Sequence, residues 1–163
     1  MTGAAAVLRS TMIRKARIAD VKAIYKLIKY YADRRRMLAR SYSELYEDVR
    51  DFMVYVSRNR VLGCAALHVT WEDLAEIKSL AVAKRHRDKG ICRTLVQAAL
   101  KEAEGLGVSK VFVLTYEKGF FGKCGFHQVP KESLPHKIWS ECVRCPEFPD
   151  CGEVPMIIEL NNG

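Results

Sequence analysis

No stretch of this 163-residue chain is apolar for long enough to cross a bilayer; the longest apolar run lies around residues 61–69. Residues 1–11 lack the basic start and continuous apolar core of a secretory signal. They read as an extension before the first strand, with Met12 as an alternative start. Internal repeats and low-complexity linkers are missing, which excludes solenoid and disordered classes. The cytoplasm is the compartment these absences favour. Acidic residues are in deficit: 19 Asp and Glu face 27 Lys and Arg, for a net charge of +8. A basic surface attracts nucleic acid, membrane and polyanionic cofactors alike, so charge does not choose among them. No Lys/Arg block is long enough for a nucleic-acid tail. Arg34-Arg35-Arg36 is a local concentration and reads as a solvated helix end.

What is present is a globular composition, 49 % hydrophobic and 28 % charged, in a length that fits one domain with a proper core. Residues 12–17 predict a strand. A helix follows over 20–33, with Val21, Ile24, Leu27, Ile28 and Tyr31 in one apolar stripe. Ser41 and Glu44 have capping-box spacing and open a second helix, with Leu45, Val49 and Phe52 inward. Strands are expected over 53–57 and 60–70 about an Arg58-Asn59 turn, and over 75–82. A helix over 90–104 places Ile91, Leu95, Ala99 and Ala103 on one side, and Gly105 and Gly107 stop it. A strand over 111–115, a short helix over 119–123, a strand after Gly125-Phe126 and a last strand over 155–160 complete the order. The fold class is mixed α/β: a central mixed sheet flanked by helices, with residues 12–163 as a single domain.

Within this order, Ala75-Glu76-Ile77-Lys78-Ser79-Leu80-Ala81-Val82 runs into Arg87-Asp88-Lys89-Gly90-Ile91-Cys92. A strand thus delivers the chain through a basic, glycine-bearing turn into a helix start. Unpaired N–H groups at a helix start suit phosphate. The plainer reading is an ordinary helix start on a basic surface. Along a regular strand, Glu76, Lys78 and Leu80 share one face and Ile77, Ser79 and Ala81 the other.

Six cysteines include Cys64, expected in the core, and Cys142, Cys145 and Cys151 near the end. With His136 these three could make a tetrahedral zinc site. A disulfide and free thiols packed in a lid are the other readings; no metal site is assigned.

The element order and the turn resemble the GNAT N-acetyltransferase family. That family's phosphate loop reads Gln or Arg, two free positions, Gly, one free position, then Gly or Ala. Here Arg87 and Gly90 match and Cys92 departs from the last position. A second feature, an aromatic pair before Gly-Phe, appears as Phe120-Phe121-Gly122-Lys123-Cys124-Gly125-Phe126. Three further segments narrow the resemblance. Met37-Leu38-Ala39-Arg40-Ser41-Tyr42-Ser43-Glu44-Leu45-Tyr46, the strand at Ala75, and Leu134-Pro135-His136-Lys137-Ile138-Trp139-Ser140-Glu141-Cys142 look like the short N-acetylglutamate synthases of arginine biosynthesis.

The resemblance implies transfer of the acetyl group of acetyl-CoA to the α-amine of L-glutamate. It implies a splayed sheet and cofactor contacts from Leu80, Ala81, Val82, Arg87, Asp88, Lys89, Gly90, Ile91, Cys92, Arg93, Phe120 and Phe121. Main-chain N–H groups near residues 80–82 would meet the thioester oxygen. Glu76 is the base candidate, acting directly or through water; a plain cross-strand ion pair is the alternative. Many members carry tyrosine where this chain has Phe121. Tyr116 is a substitute proton donor, or an aromatic that packs the cofactor arm. Arg40, Lys78 and Lys137 are candidates for the substrate carboxylates, with surface solvation as the alternative for Arg40 and Lys137. Ser41 offers a hydroxyl or simply a cap. Neither nucleic acid nor membrane is an expected partner, and a homodimer is left open. The competing functions are a GNAT enzyme for another amino acid, small amine or protein N-terminus, and a basic nucleic-acid-binding or regulatory module.

Overall fold

A computed structural model describes residues 11–135 and 152–160. Residues 1–10 of the expected extension lie outside the described residues, as do His136, Lys137, Cys142, Cys145 and Cys151. The described residues form a seven-stranded sheet in the order β1-β2-β3-β4-β5-β7-β6. Its strands are β1 (Met12–Lys15), β2 (Phe52–Ser57), β3 (Arg60–Trp71), β4 (Leu74–Val82), β5 (Lys110–Thr115), β6 (His127–Gln128) and β7 (Val154–Glu159). The helices are α1 (Val21–Ala32), α2 (Tyr42–Glu47), α3 (Ile91–Leu106) and α4 (Lys118–Lys123). No helix among the described residues is long and apolar enough to cross a membrane.

Helical periodicity decides which helix covers which face. Val21, Ile24 and Ile28 of α1 and Leu45 of α2 pack on Val54, Cys64, Ala66 and Ala81. Leu95, Val96, Ala99 and Ala103 of α3 pack on the other face, against Ala65, Leu67, Ala75, Ile77, Val111 and Val113. Each fully buried Leu or Val side chain contributes about 1.5–3 kcal/mol. Ser41 caps α2 as its spacing predicts, accepting from the Glu44 N–H at 3.1 Å. Arg58 and Asn59 both take positive φ, 51° and 61°, the primed hairpin turn between β2 and β3.

Three expectations need correction. The second helix does not carry Phe52 inward: α2 ends at Glu47, a 3-10 turn spans Val49–Asp51, and Phe52 opens β2. Gly105 does not stop α3, which runs to Leu106; Gly107, at φ 86°, caps it. Leu80 does not share the face of Glu76 and Lys78. Between Cys64 and Ala66 the β3–β4 register shifts, so that Ser79 and Leu80 together oppose Ala65. Ser79 takes φ 55° to make this bulge. The extra residue returns Leu80 and Val82 to the α3 side and Ala81 to the α1 side.

Candidate active site

β4 is the axis of the site. It pairs in parallel with β5 only over Leu74–Lys110, Ala75–Val111 and Glu76–Phe112. Beyond Glu76, β4 keeps its β3 partners, Lys78 to Ala66, Ala81 to Cys64 and Val82 to Gly63, while the β5 ladder has ended. The strands part there, and among the described residues the β5-side edge of residues 77–82 has no strand to pair with. Cys64, fully buried, donates its thiol to the Ser79 carbonyl at 3.5 Å across the bulge, and burial pushes that thiol up to about 12. A core role for Cys64 agrees with its apolar setting.

The turn after β4 combines left-handed backbone with exposed cations. Asp88 and Gly90 hold φ 63° and 79°. Two left-handed residues so close together curl the backbone into a concave run. Gly90 is the N-cap of the 16-residue α3 and brings no side chain to cap it. A Cβ on Gly90 would meet nothing within 4 Å, so glycine serves the backbone angle here rather than space. Arg87, Lys89 and Arg93 are exposed around this helix start, while Ile91 anchors it in the core. Cys92 is half-buried, and desolvation raises its thiol above the ordinary value.

Tyr31 of α1 ties this turn to the rest of the fold. Its hydroxyl donates to the Val82 carbonyl, and the Arg87 guanidinium lies 5.9 Å from its ring centroid. Burial raises the phenol. Sequence placed Tyr31 only on an apolar stripe and gave no sign of its contact with the turn.

On the α1–α2 side of the sheet stand Glu76, buried at 8 % exposure, and Lys78, half-buried. Arg40 sits where the loop enters α2. Its side chain is only 9 % exposed and reaches Glu44 at 3.4 Å. Simple surface solvation is therefore not its situation. Tyr116 follows β5, with the Arg36 guanidinium 5.8 Å from its ring centroid. Arg36 thus leaves the arginine cluster and reaches the β5 side of the opening. Arg34 instead folds on Tyr30, 3.6 Å from the ring centroid. Phe121 is a core residue whose ring lies 5.0 Å from Phe120 and 5.3 Å from Phe126, both edge-on.

One pair escaped sequence reasoning altogether. His68 Nδ1 lies 2.7 Å from Asp51 Oδ2, and His68 is the register partner of Glu76. The signal was a polar residue on an apolar strand, but its face depends on a second bulge. Trp71 pairs with Leu74, then Val69 with Ala75, leaving Thr70 over. Thr70 Oγ1 donates to the Leu74 carbonyl at 3.0 Å and holds that irregularity.

The comparisons agree with this geometry. Residues 18–126 match the acetyltransferase (GNAT) family. An uncharacterized N-acetyltransferase of Chlorobaculum tepidum is 42 % identical over 150 residues, covering 92 % of this chain and 97 % of that one. An amino-acid acetyltransferase of Mycobacterium tuberculosis is 36 % identical over 136 residues, 82 % of this chain and 78 % of the relative. The N-acetylglutamate synthase of Neisseria gonorrhoeae, solved with coenzyme A and N-acetyl-glutamate, superposes with a TM-score of 0.85 at 25 % identity, over 93 % of this chain and 35 % of that one. A sheet that opens after Glu76, an uncapped helix start at Gly90 and a family match across both together establish that the chain belongs to the acetyltransferase (GNAT) family.

Proposed function

We infer that this N-acetyltransferase moves the acetyl group of acetyl-CoA to the α-amine of L-glutamate, giving N-acetylglutamate, the first step of arginine biosynthesis. The observation that carries the reading is a buried carboxylate and a half-buried ammonium on one face of β4 where its pairing with β5 ends. Glu76 and Lys78 share one face of β4, and Arg40 is largely withdrawn from solvent at the entry to α2. A carboxylate next to cations suits an acceptor that brings one ammonium and two carboxylates.

The residues fit a pyrophosphate. The amides opening α3 lie in a turn that carries the exposed Arg87, Lys89 and Arg93, and the dipole of α3 adds about 0.3–1 kcal/mol. Acetyl-CoA supplies the acyl group. Main-chain amides along residues 80–82 are the donors for its thioester oxygen, since the edge they occupy has no strand partner among the described residues. Glu76 takes the proton that the acceptor ammonium must lose before its nitrogen can attack. Arg40, Lys78 and Lys137 bind the acceptor carboxylates, and Ser41 offers its hydroxyl as well as its capping bond. Tyr116 lies at the mouth of the opening, where its hydroxyl would serve the departing thiolate or its ring the cofactor arm.

The supporting names are those of relatives: amino-acid acetyltransferase in Mycobacterium tuberculosis, N-acetylglutamate synthase in Neisseria gonorrhoeae. Thiol release from acetyl-CoA, measured with glutamate, glutamine and aspartate, tests the reading. Glutamate should give the highest kcat/KM, by about tenfold or more, which corresponds to about 1.4 kcal/mol of transition-state preference. A higher value for glutamine or aspartate would reassign the acceptor, and no release with any of them would remove the amino-acid reading.

A further inference from the structure

Glu76 is 8 % exposed, yet in the reading above, on which this inference rests, it gains a proton from the acceptor in every turnover. A buried carboxylate that is protonated each cycle needs a neighbour nearer solvent to clear it. The β3–β4 ladder supplies one. His68 pairs with Glu76, and paired residues of antiparallel strands project on the same face with Cβ atoms about 4.5–5.5 Å apart. The His68 side chain is 41 % exposed, so it is the member of this pair that meets water.

Asp51 fixes the ring. With Nδ1–H donating to the Asp51 carboxylate at 2.7 Å, the neutral imidazole carries its lone pair on Nε2. This is the arrangement in which a base is oriented by a third group. The charged groups around His68 are Asp48 and Asp51 from the segment after α2, and Lys78 and Glu76 from β4. The Asp51 hydrogen bond raises the imidazole above its ordinary value; burial and Lys78 oppose it.

We propose that the His68–Asp51 pair is the proton exit of the acetyltransferase site, relieving Glu76 after it has taken the proton of the acceptor amine. An ammonium N–H bond breaks and a carboxyl O–H bond forms on Glu76. That O–H bond breaks and Nε2–H forms on His68, giving an imidazolium opposed by the Asp51 carboxylate. The Nε2 proton then passes to water, and both side chains return to their starting state. No electrons are exchanged with any other group. His68 and Asp51 act through Glu76, so they are positioning residues.

The test is kcat against pH, with L-glutamate and acetyl-CoA saturating, for the unaltered enzyme, His68→Gln, Asp51→Asn and Glu76→Gln. The relay needs neutral His68, so kcat should fall on the acid side as the imidazole protonates, at a pH above its ordinary value near 6.5. Asp51→Asn should move that limb to lower pH, because the neighbour that favours the charged ring is gone. His68→Gln should lower kcat about 10–100-fold, abolish the limb, leave both KM values within about twofold, and recover with added imidazole. A His68→Gln enzyme with the original limb and no response to imidazole would overturn the relay. Were His68→Gln not to fold, an unmoved limb in Asp51→Asn would overturn it equally. Full activity in Glu76→Gln would instead remove Glu76 as the base, and the relay with it. A dead Glu76→Gln beside an unaffected His68→Gln would remove the relay alone.

Discussion

Glu76 and Phe112 form the last rung between β4 and β5. Past them β4 continues for six residues, Ile77 to Val82, with β3 as its one strand partner among the described residues. That single end of pairing turns a continuous sheet into one with a cleft, and it puts the buried carboxylate of Glu76 at the apex. The Ser79–Leu80 bulge lies just beyond, where it keeps β4 bonded to β3 while the strand turns away from β5. The proposed site and the left-handed backbone of Ser79 therefore sit within a few residues of each other.

Ser79 should tolerate glycine and reject a β-branched residue. Its φ of 55° costs an L-residue about 1–2 kcal/mol, a cost that glycine escapes while losing backbone entropy. Ser79→Gly should change unfolding free energy by less than about 1 kcal/mol and keep activity. Ser79→Val should lose about 2 kcal/mol or more, because branching at Cβ worsens the left-handed clash. Urea unfolding of both variants decides this, and equal stability would mean that the bulge is not held in this backbone state.

At Gly90 the backbone angle, φ 79°, sets the requirement. Gly90→Ala should weaken acetyl-CoA binding about tenfold, from a conformational cost of about 1–2 kcal/mol in the loop. Gly90→Asn should lose less, since asparagine tolerates the left-handed region. Titration calorimetry with coenzyme A measures both, and an unchanged Kd in the alanine variant would place the phosphate elsewhere.

For Arg40, whose side chain is 9 % exposed, truncation to alanine should raise the acceptor KM about 10–100-fold, the loss of one charge-assisted contact of about 1.5–3 kcal/mol. The acetyl-CoA KM should move less than about threefold. An equal rise in both would assign Arg40 to folding or to the cofactor.

Stability should fall with acid partly through Asp20. Its carboxylate accepts from Arg14 Nη1 at 2.7 Å, Arg14 Nη2 at 3.1 Å and the Arg17 N–H at 2.7 Å. The Arg14 hydrogen bond holds the carboxyl below its usual range, with burial opposing. A depressed folded value means the stabilisation is complete above the unfolded value near 3.9 and is lost as pH falls through the folded one. Asp20→Asn should therefore cost about 2 kcal/mol near neutral pH, and the difference from the unaltered protein should narrow below pH 4. A difference independent of pH would reject this account.

Helices were the most legible part of the chain. The stripes of α1 and α3 follow from residues spaced three and four apart, and Val21, Ile24, Leu95 and Ala99 are all buried. The basic turn was legible for a similar reason. A glycine between a strand and an apolar helical stripe marks a local backbone need, and Gly90 meets it at φ 79°. The helix assigned to Phe52 failed because an apolar residue at helical spacing also suits the first position of a buried strand.

By itself, then, the sequence determined most of the segments that coil or extend, and the glycine-bearing basic turn that opens α3, because each depends on residues within one or two turns of one another. Tertiary packing alone decided which side chains of β3 and β4 meet. Counted back from Trp71 and Leu74, an unbroken ladder would set His68 against Ile77; the surplus Thr70 sets it against Glu76 instead. The surplus at Ser79 likewise carries Leu80 away from Glu76. A one-residue slip exchanges the two faces of a strand, and only simultaneous burial against α1 on one side and α3 on the other fixes where that slip occurs.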